Sequence, residues 1–226
     1  MEEVEAFLEE EELASSCFVQ YQAAYPRMKQ AGMFSLRYSV NAVVDPKNRF
    51  VLNHGGVITN WATALVDYPQ MRRDPNSERS LVYGIRFRVI EFQGNAEVGF
   101  LPLEDFIAKK QTARENESIL DHLRSYTFTY WGALHHGSRT ESQANMFVSA
   151  FSQEIKTPGD RVELELDVRQ QKLTILAWSS TFADPDKPAV MIEPIDLEDN
   201  VAYCWAASVG MPRCKYVIEE AWARVE

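Results

Sequence analysis

Residues Gly159 to Trp178 read GDRVELELDVRQQKLTILAW, and their alternation of apolar and charged side chains constrains the fold more than any other stretch. The apolar positions are Val162, Leu164, Leu166, Val168, Leu173, Ile175 and Ala177. The positions between them in the first half are charged, and polar residues separate the two halves. Because successive side chains of a β-strand point to opposite faces, the stretch predicts a hairpin with one buried face and one solvated face.

The same period of two residues begins at Met33 and recurs along most of the chain. After the first stretch, MFSLRYSV, the candidate strands are Phe50–Leu52, Val57–Ala62, Val82–Phe92, Ala96–Leu101, Tyr126–Trp131, Met146–Phe151, Arg161–Val168, Leu173–Trp178, Val190–Pro194, Val201–Ser208 and Cys214–Ile218. Many short strands separated by turn signals are typical of an all-β sandwich or barrel. The strands do not alternate with helical patterns, so the sequence does not indicate a parallel sheet.

The N-terminal stretch follows a different pattern. Glutamate dominates up to Glu12, and apolar residues then recur at spacings of three and four. These apolar residues are Ala14, Cys17, Phe18, Tyr21, Ala24, Tyr25 and Met28. The spacing predicts a helix with one apolar stripe, which Pro26 ends or bends. We therefore divide the chain into an acidic helical extension, residues 1–32, and a β domain, residues 33–226. The stripe packs on the domain or docks on a partner.

A polar segment, Leu103–Arg124, interrupts the series of strands. Its sequence, LEDFIAKKQTARENESILDHLR, has a spacing compatible with helix. We interpret it as a long loop with one or two helical turns. Long loops within compact domains are usually functional or disordered.

Composition and charge exclude several classes of protein. The 226 residues carry a formal net charge of −10, which disfavours binding to phosphate backbones and to anionic membranes. The three cysteines have no metal-site or disulfide-framework spacing, which favours a reducing compartment. The acidic N-terminus is unlike a signal peptide, and no apolar run approaches the ~20 residues needed to span a bilayer. We expect an intracellular, cytoplasmic protein that binds neither nucleic acid nor membrane.

The sequence indicates no catalytic residue, no metal and no cofactor. It contains no nucleophile-elbow, dinucleotide-binding or P-loop motif. The adjacent pair His135 and His136 would point to opposite faces of a strand, so the two rings cannot easily share an ion. We interpret Asp184 and Asp186 as turn residues, because Asp and Pro favour turns. Cys204 and Cys214 are interpreted as core or edge thiols.

Three spaced carboxylates, Glu163, Glu165 and Asp167, lie on the charged side of the predicted hairpin. Paired carboxylates can hydrolyse glycosidic bonds. Here all three occupy one alternating face, which the pattern predicts to be solvated. We therefore expect these carboxylates to belong to the surface and not to an active site.

Four segments occur in an order that points to a family. They are SLVYGIRFRVIEFQGNAEVGFL, SYTFTYWGALHHGS, PGDRVELELDVRQQKLTI and VAYCWAASVGMPRCKYVI. From about Phe34 to Ile218, this ordered set resembles the SPRY domain, also called B30.2. The resemblance implies a bent antiparallel β-sandwich of two sheets, a concanavalin-like jelly roll, with short helices at the N-terminus.

The resemblance also implies where a partner would bind. In SPRY proteins that bind peptides, the partner docks on loops gathered at one end of the sandwich. By position, these loops are NHGGV, QGNAE and SVGMPRC, and the insert would lie nearby. The implied partner-binding residues are His54, Gly56, Gly94, Asn95, Met211, Pro212 and Arg213, with Phe106 or His122 from the insert.

The function implied is non-catalytic recognition of a partner protein or peptide. The chain would then act as an adaptor or as one subunit of a larger complex. Two alternatives stay open, and the first is a carbohydrate-binding or glycan-cleaving jelly roll. Its aromatic side chains would come from Trp61, Trp178, Trp205 and Trp222, although the strand pattern predicts that Trp205 is buried. The second alternative is a purely structural assembly subunit.

Overall fold

The computed structural model describes residues 28–30, 32–45, 47–54, 61–77, 80–112, 118–120, 124–137, 146–151 and 154–225. Within these ranges the strands are β1 (Met28–Gln30), β2 (Phe34–Val40), β3 (Ala42–Asp45), β4 (Asn48–His54), β5 (Ala62–Arg72), β6 (Leu81–Glu91), β7 (Ala96–Pro102), β8 (Tyr126–Thr129), β9 (Ala133–His136), β10 (Met146–Ala150), β11 (Arg161–Asp167), β12 (Lys172–Trp178), β13 (Ala189–Pro194), β14 (Ala202–Val209) and β15 (Lys215–Val225). Helix α1 (Leu103–Thr112) follows β7 directly. No helix in the described ranges is long and apolar enough to cross a membrane.

The strands form two antiparallel sheets. The eight-stranded sheet has the order β13-β12-β11-β6-β15-β4-β3, with β1 pairing to β15, and the seven-stranded sheet has the order β10-β9-β8-β7-β14-β5-β2. Strands close in sequence pair as hairpins, whereas β14 and β15 are inserted between earlier strands. The all-β sandwich predicted from the sequence is confirmed.

The main hydrophobic core lies between the two sheets. The hairpin of β11 and β12 shows how it is built, because Leu164 pairs with Ile175 and both side chains are buried there. All seven apolar positions of the alternating stretch belong to this core. Aromatic residues fill its centre, and Trp205 lies edge-on to Phe100 at 5.5 Å between ring centroids. The predicted burial of Trp205 is confirmed.

The charged face of the same hairpin differs from the prediction. Glu163 and Asp167 are buried, although the alternation placed them in solvent. Arg86 on the neighbouring strand hydrogen-bonds to Glu163 through Nε at 2.7 Å, and the Ser80 hydroxyl donates to Asp167 at 3.0 Å. Burial raises the pKa of Glu163, and the hydrogen bond from Arg86 opposes that rise. Both carboxylates thus have hydrogen-bond donors from outside the hairpin, which the hairpin sequence alone does not reveal.

A second, smaller hydrophobic cluster lies on the other side of the seven-stranded sheet, which we call its outer face. Helix α1 packs there through Leu103 and Phe106 against Leu101, Tyr38 and Ala206. Acidic residues in the first turn and lysines in the last turn suit the helix dipole. The insert is therefore a ten-residue helix followed by a connection, and the predicted loop with one or two turns is wrong for its first half.

The N-terminal extension differs from the prediction at its C-terminal edge. Met28–Gln30 forms strand β1, and Met28 pairs with Ala223 of β15. The predicted helix therefore cannot extend through Met28. The rest of that predicted helix lies in residues 1–27, outside the described residues.

Candidate functional site

Several turns meet at one end of the sandwich, which we call the loop end. Strand β14 ends at Val209, which pairs with Ala96 at the start of β7 and with Ala62 at the start of β5. In the other sheet, β15 starts at Lys215, which pairs with Glu91 at the end of β6. The turn between β6 and β7 therefore lies beside the turn between β14 and β15.

Hydrogen bonds join these two turns. The Gly210 amide donates to the Asn95 carbonyl at 2.8 Å. The Gln93 amide donates to Cys214 Sγ at 3.3 Å, and that thiol donates to the Gln93 carbonyl at 3.2 Å. Cys214 is fully buried, and burial raises the pKa of its thiol. The thiol is thus a structural link between the turns, because a nucleophilic cysteine needs a lowered pKa and access to substrate.

Met211 lies against Gly94 in the turn between β6 and β7. A Cβ added to Gly94 would stand 2.2 Å from Met211 Cγ, and the backbone there has φ of +113°. Both the contact and the backbone conformation require glycine. One side of Met211 therefore packs on this turn, while 37% of the residue remains exposed.

Trp61 extends the same surface from the start of β5. A Cβ added to Gly210 would lie 3.2 Å from Trp61 Cε2 and 3.2 Å from Asn95 Cβ. The indole therefore packs closely on the turn between β14 and β15. The Asn41 side-chain amide donates to the Trp61 carbonyl at 3.1 Å. Trp61 is half-buried. Its position at the loop end makes it an aromatic neighbour of both turns.

A row of aromatic rings continues the surface in the other direction. Phe92 and Tyr130 have ring centroids 4.9 Å apart. Tyr130 stacks on Trp131, also at 4.9 Å and with 16° between the ring planes. Trp131 is 50% exposed, and Gly132 has φ of +80° in the turn between β8 and β9. The sequence prediction did not include these rings, although two adjacent aromatic residues before a turn glycine were the available signal.

The predicted partner-binding residues fall into four groups, of which Phe106 alone forms the last. Gly94, Asn95, Met211, Pro212 and Arg213 lie together at the loop end. His54 ends β4 at the same end, but its side chain is buried. Gly56 and His122 lie outside the described residues.

Phe106 does not join this group, and its predicted place near the loops is wrong. It lies in α1, which follows the opposite end of β7, and its ring is fully buried against Tyr38 on the outer face of the seven-stranded sheet. The helical spacing of Leu103, Phe106 and Ile107 gives these residues a common face, and that face packs on the sheet.

Arg213 is the charged member of the loop end. Its side chain is exposed, and its guanidinium has no hydrogen-bond or ion-pair partner within the described ranges. It stands two residues from Met211 in a tight turn, in which the Cys214 amide donates to the Met211 carbonyl at 3.0 Å. An exposed thioether therefore lies beside a guanidinium that has no partner in the described part of the chain.

Metal ligands do not cluster in the described part of the chain, where no group of three or more His, Cys, Asp or Glu side chains could hold an ion. The two adjacent histidines lie on β9. The His136 ring stacks on Tyr126 with centroids 4.1 Å apart and an interplanar angle of 6°. Burial lowers the pKa of His136, and the charge of Asp196 opposes that effect.

This histidine predicts a pH dependence of stability. The pKa of His136 is about 6.5 in the unfolded chain and lower in the folded one, so below that pH the unfolded state binds the proton more readily. Because the unfolded state gains the proton first, the free energy of unfolding decreases as the pH falls below about 6.5. His136→Phe keeps a ring on Tyr126 but binds no proton. In urea denaturation, we expect the variant to lose less stability than the wild type between about pH 7 and pH 5. Equal losses would contradict the assignment.

Comparisons with solved structures agree with the architecture. The SPRY domain of human HERC1 is 14% identical, with a TM-score of 0.51 over 82% of this chain and 96% of that chain. A Lotus tetragonolobus seed lectin is 12% identical, with a TM-score of 0.52 over 88% of this chain and 98% of that chain. Arcelin-5, a lectin-like defense protein from Phaseolus vulgaris, is 10% identical, with a TM-score of 0.52 over 88% and 97%.

At this level of sequence identity, the similarity between this chain and the solved structures is a similarity of fold. The chain has the two-sheet sandwich shared by the SPRY domain and the lectin jelly rolls, as its sequence resemblance implied. No family model matches the sequence, and no curated protein matches it either.

Proposed function

We propose that this chain is a non-catalytic binding module that takes a partner protein or peptide at its loop end. The observation that carries the proposal is the position of Met211, which lies against Gly94 beside Arg213, whose guanidinium has no partner among the described residues. Methionine, arginine and aromatic residues are enriched in protein interfaces, and charge is depleted at their centres. An apolar anchor with one adjacent cation fits that composition.

The rigidity of the loop end supports the same function. Hydrogen bonds between the two turns, through Asn95 and Cys214, fix Met211 before any partner arrives. A surface that is already ordered loses less conformational entropy on binding. The module would act as an intracellular, cytoplasmic adaptor or as one subunit of a larger complex.

The test compares two double variants of the tagged full chain in its native cells. Met211→Asp with Arg213→Asp removes the apolar anchor and reverses the cation. We expect it to reduce recovery of specific partners at least about tenfold without lowering the melting temperature, because hot-spot side chains dominate interface energies. Ile192→Asp with Lys172→Asp is the matched control, since Ile192 is an exposed apolar residue on β13, on the eight-stranded sheet.

Mass spectrometry of the captured proteins separates the outcomes. Partners lost in the loop-end variant and kept in the control support recognition through the loops. Partners kept in both variants contradict it and favour a structural subunit held by other surfaces.

A second candidate function is glycan binding at the exposed ring of Trp131. The observation that favours it is the flat stack of Tyr130 and Trp131 at the loop end, half open to solvent. Aromatic faces are apolar platforms with a fixed geometry. A melting-temperature rise with a panel of glycans, lost in Trp131→Ala, would support this function. No rise with any glycan would leave the protein partner as the better assignment.

A further inference from the structure

Strand β13 forms one edge of the eight-stranded sheet, and within the described ranges no strand pairs with its other side. The Ile195 amide donates to the Gln171 carbonyl at 2.9 Å, so these two residues form a hydrogen-bonded pair in the ladder with β12. Such pairs alternate with non-hydrogen-bonded pairs along an antiparallel ladder. Val190 and Ile192 fall in the non-hydrogen-bonded pairs. Their N–H and C=O groups therefore point away from β12, toward the free edge.

A proline limits this free edge on each side. Pro188 precedes Val190 by two residues, and Pro194 follows Ile192 by two residues. Both prolines therefore continue the edge-facing positions, where they offer no N–H. The edge presents two backbone donors, those of Val190 and Ile192, between two positions that cannot donate. Pairing with another strand is thereby confined to a short stretch centred on Met191.

The side chains of the free edge are apolar and exposed. Val190 is 54% exposed and Ile192 is 58% exposed, while Met191 between them is buried in the main core. Val190 and Ile192 therefore lie on the face of the sheet that points away from the core. Leu176 pairs with Val190 and continues this apolar surface onto β12. An edge strand with unpaired backbone groups and apolar side chains is a template for pairing with another chain.

We propose that two copies of this chain pair through β13, antiparallel across a two-fold axis at Met191, with Val190 of each copy opposite Ile192 of the other. In this register, the N–H groups of both residues donate to carbonyl groups of the other copy. Pro188 of one copy then lies opposite Pro194 of the other, beyond the paired stretch. A shift of two residues in either direction places a proline opposite Val190 or Ile192 and leaves that residue's carbonyl without a donor.

The edge is complementary to itself, which favours a second copy over a different extended chain. Val190 and Ile192 form apolar cross-strand pairs on both sides of the axis. Lys187 of one copy stands two residues from the position opposite Glu193 of the other, within reach of a long side chain. Lys187 is exposed in the single chain, and so is its ion pair with Asp184. A two-fold contact is also closed, so the pairing does not continue into a fibre.

Sedimentation equilibrium of the full chain at increasing concentration tests the pairing. We expect the mass to rise from that of one chain toward that of two. Ile192→Lys places like charges diagonally across the axis and should weaken the dimer at least about tenfold, because like charges brought together at an interface are unfavourable. Val43→Lys is the matched control and should leave the dimer unchanged, since Val43 is 53% exposed on β3, at the opposite edge of the same sheet.

Disulfide formation between copies tests the register. Val190→Cys and Ile192→Cys are made in separate chains that also carry Cys17→Ser, and the native Cys204 and Cys214 are buried. In the proposed register, the Cα atoms of residues 190 and 192 in different copies lie about 5.5 Å apart, which a disulfide spans. Two residues 190, or two residues 192, are diagonal and farther apart. After mild oxidation, a mixture of the two variants should therefore give more linked dimer than either variant alone.

A chain that stays monomeric at every concentration would overturn the proposal. A dimer that Ile192→Lys leaves intact, or that Val43→Lys weakens as much, would place the interface elsewhere and overturn it as well. Equal yields of linked dimer from the mixture and from the single variants would contradict the register. If the chain is monomeric and Ile192→Lys loses partner proteins captured from cells, the edge binds an extended segment of a partner and not a second copy.

This pairing does not rest on partner binding at the loop end. Strands β12, β11 and β6 separate β13 from β15, beside which Met211 lies. Ile192→Lys should therefore keep the partners captured at the loop end, and the Met211→Asp and Arg213→Asp variant should still form the dimer. Failure of one proposal leaves the other standing.

Discussion

Gly99→Ala is expected to cost about 3 kcal/mol of stability or more, which is a large part of the roughly 5–15 kcal/mol by which a typical domain is stable. A Cβ at this position would lie 2.0 Å from the Tyr126 carbonyl oxygen and 3.0 Å from Thr127 Cα. Both atoms belong to the backbone of β8, which pairs with β7 at this point. Unlike a flexible side chain, a paired strand cannot move aside without losing its hydrogen bonds.

Gly159→Ala is the matched control for this substitution. Gly159 has φ of +100°, but nothing lies within 4 Å of an added Cβ. Only the backbone conformation opposes the methyl group, at about 1–2 kcal/mol. Urea denaturation of the two variants should therefore show the larger loss for Gly99→Ala. A loss at Gly99 no greater than at Gly159 would mean that β8 yields to the methyl group.

Arg124→Met is the second substitution expected to have a large effect, of about 2 kcal/mol. Arg124 Nε donates to Asp105 at 2.7 Å, Nη2 donates to Glu104 at 2.6 Å, and Nη1 donates to Glu198 at 3.1 Å. These carboxylates raise the pKa of Arg124. Removing the guanidinium leaves the buried Asp105 charge without this partner and releases the start of α1 from the segment after β13.

Arg73→Met is the control for Arg124→Met, because Arg73 forms an ordinary surface ion pair. Arg73 binds Asp199, and both side chains are more exposed than that of Asp105. Surface pairs contribute about 0–1 kcal/mol. We expect Arg73→Met to stay within that range in thermal and urea denaturation. If Arg124→Met stays within it too, the arginine cluster does not anchor α1.

The loop end shows which part of a site a sequence can predict. The resemblance to the SPRY domain implied that the turns at Gly94–Asn95 and Met211–Arg213 lie at one end of the sandwich, and the structure places them side by side. Partner binding by these turns stays a prediction. Trp131 was missed as a surface residue, because its exposure depends on how Tyr130 and Phe92 stack across a turn. Phe106 was assigned to the wrong surface, because a helix that covers a sheet face cannot be distinguished locally from a loop helix near a site.

Strand β15 shows a second limit. The prediction ended it at Ile218, whereas the strand continues to Val225. A register shift between Ile218 and Glu220 moves the core-facing positions from even to odd numbers, so Ala221 and Ala223 face the core after Ile218. A bulge of this kind interrupts the alternation on which the prediction rests, although pairing with β6 continues.

The sequence by itself determined the all-β class, most strand positions, the β11–β12 hairpin and which side of that hairpin faces the core. These follow from alternation, which is a property of one strand and its turn. Only the tertiary structure decided that Glu163 and Asp167 are buried, that α1 covers the seven-stranded sheet, and that Gly99 must lack a side chain. Each of these depends on atoms contributed by distant parts of the chain, which no local pattern encodes.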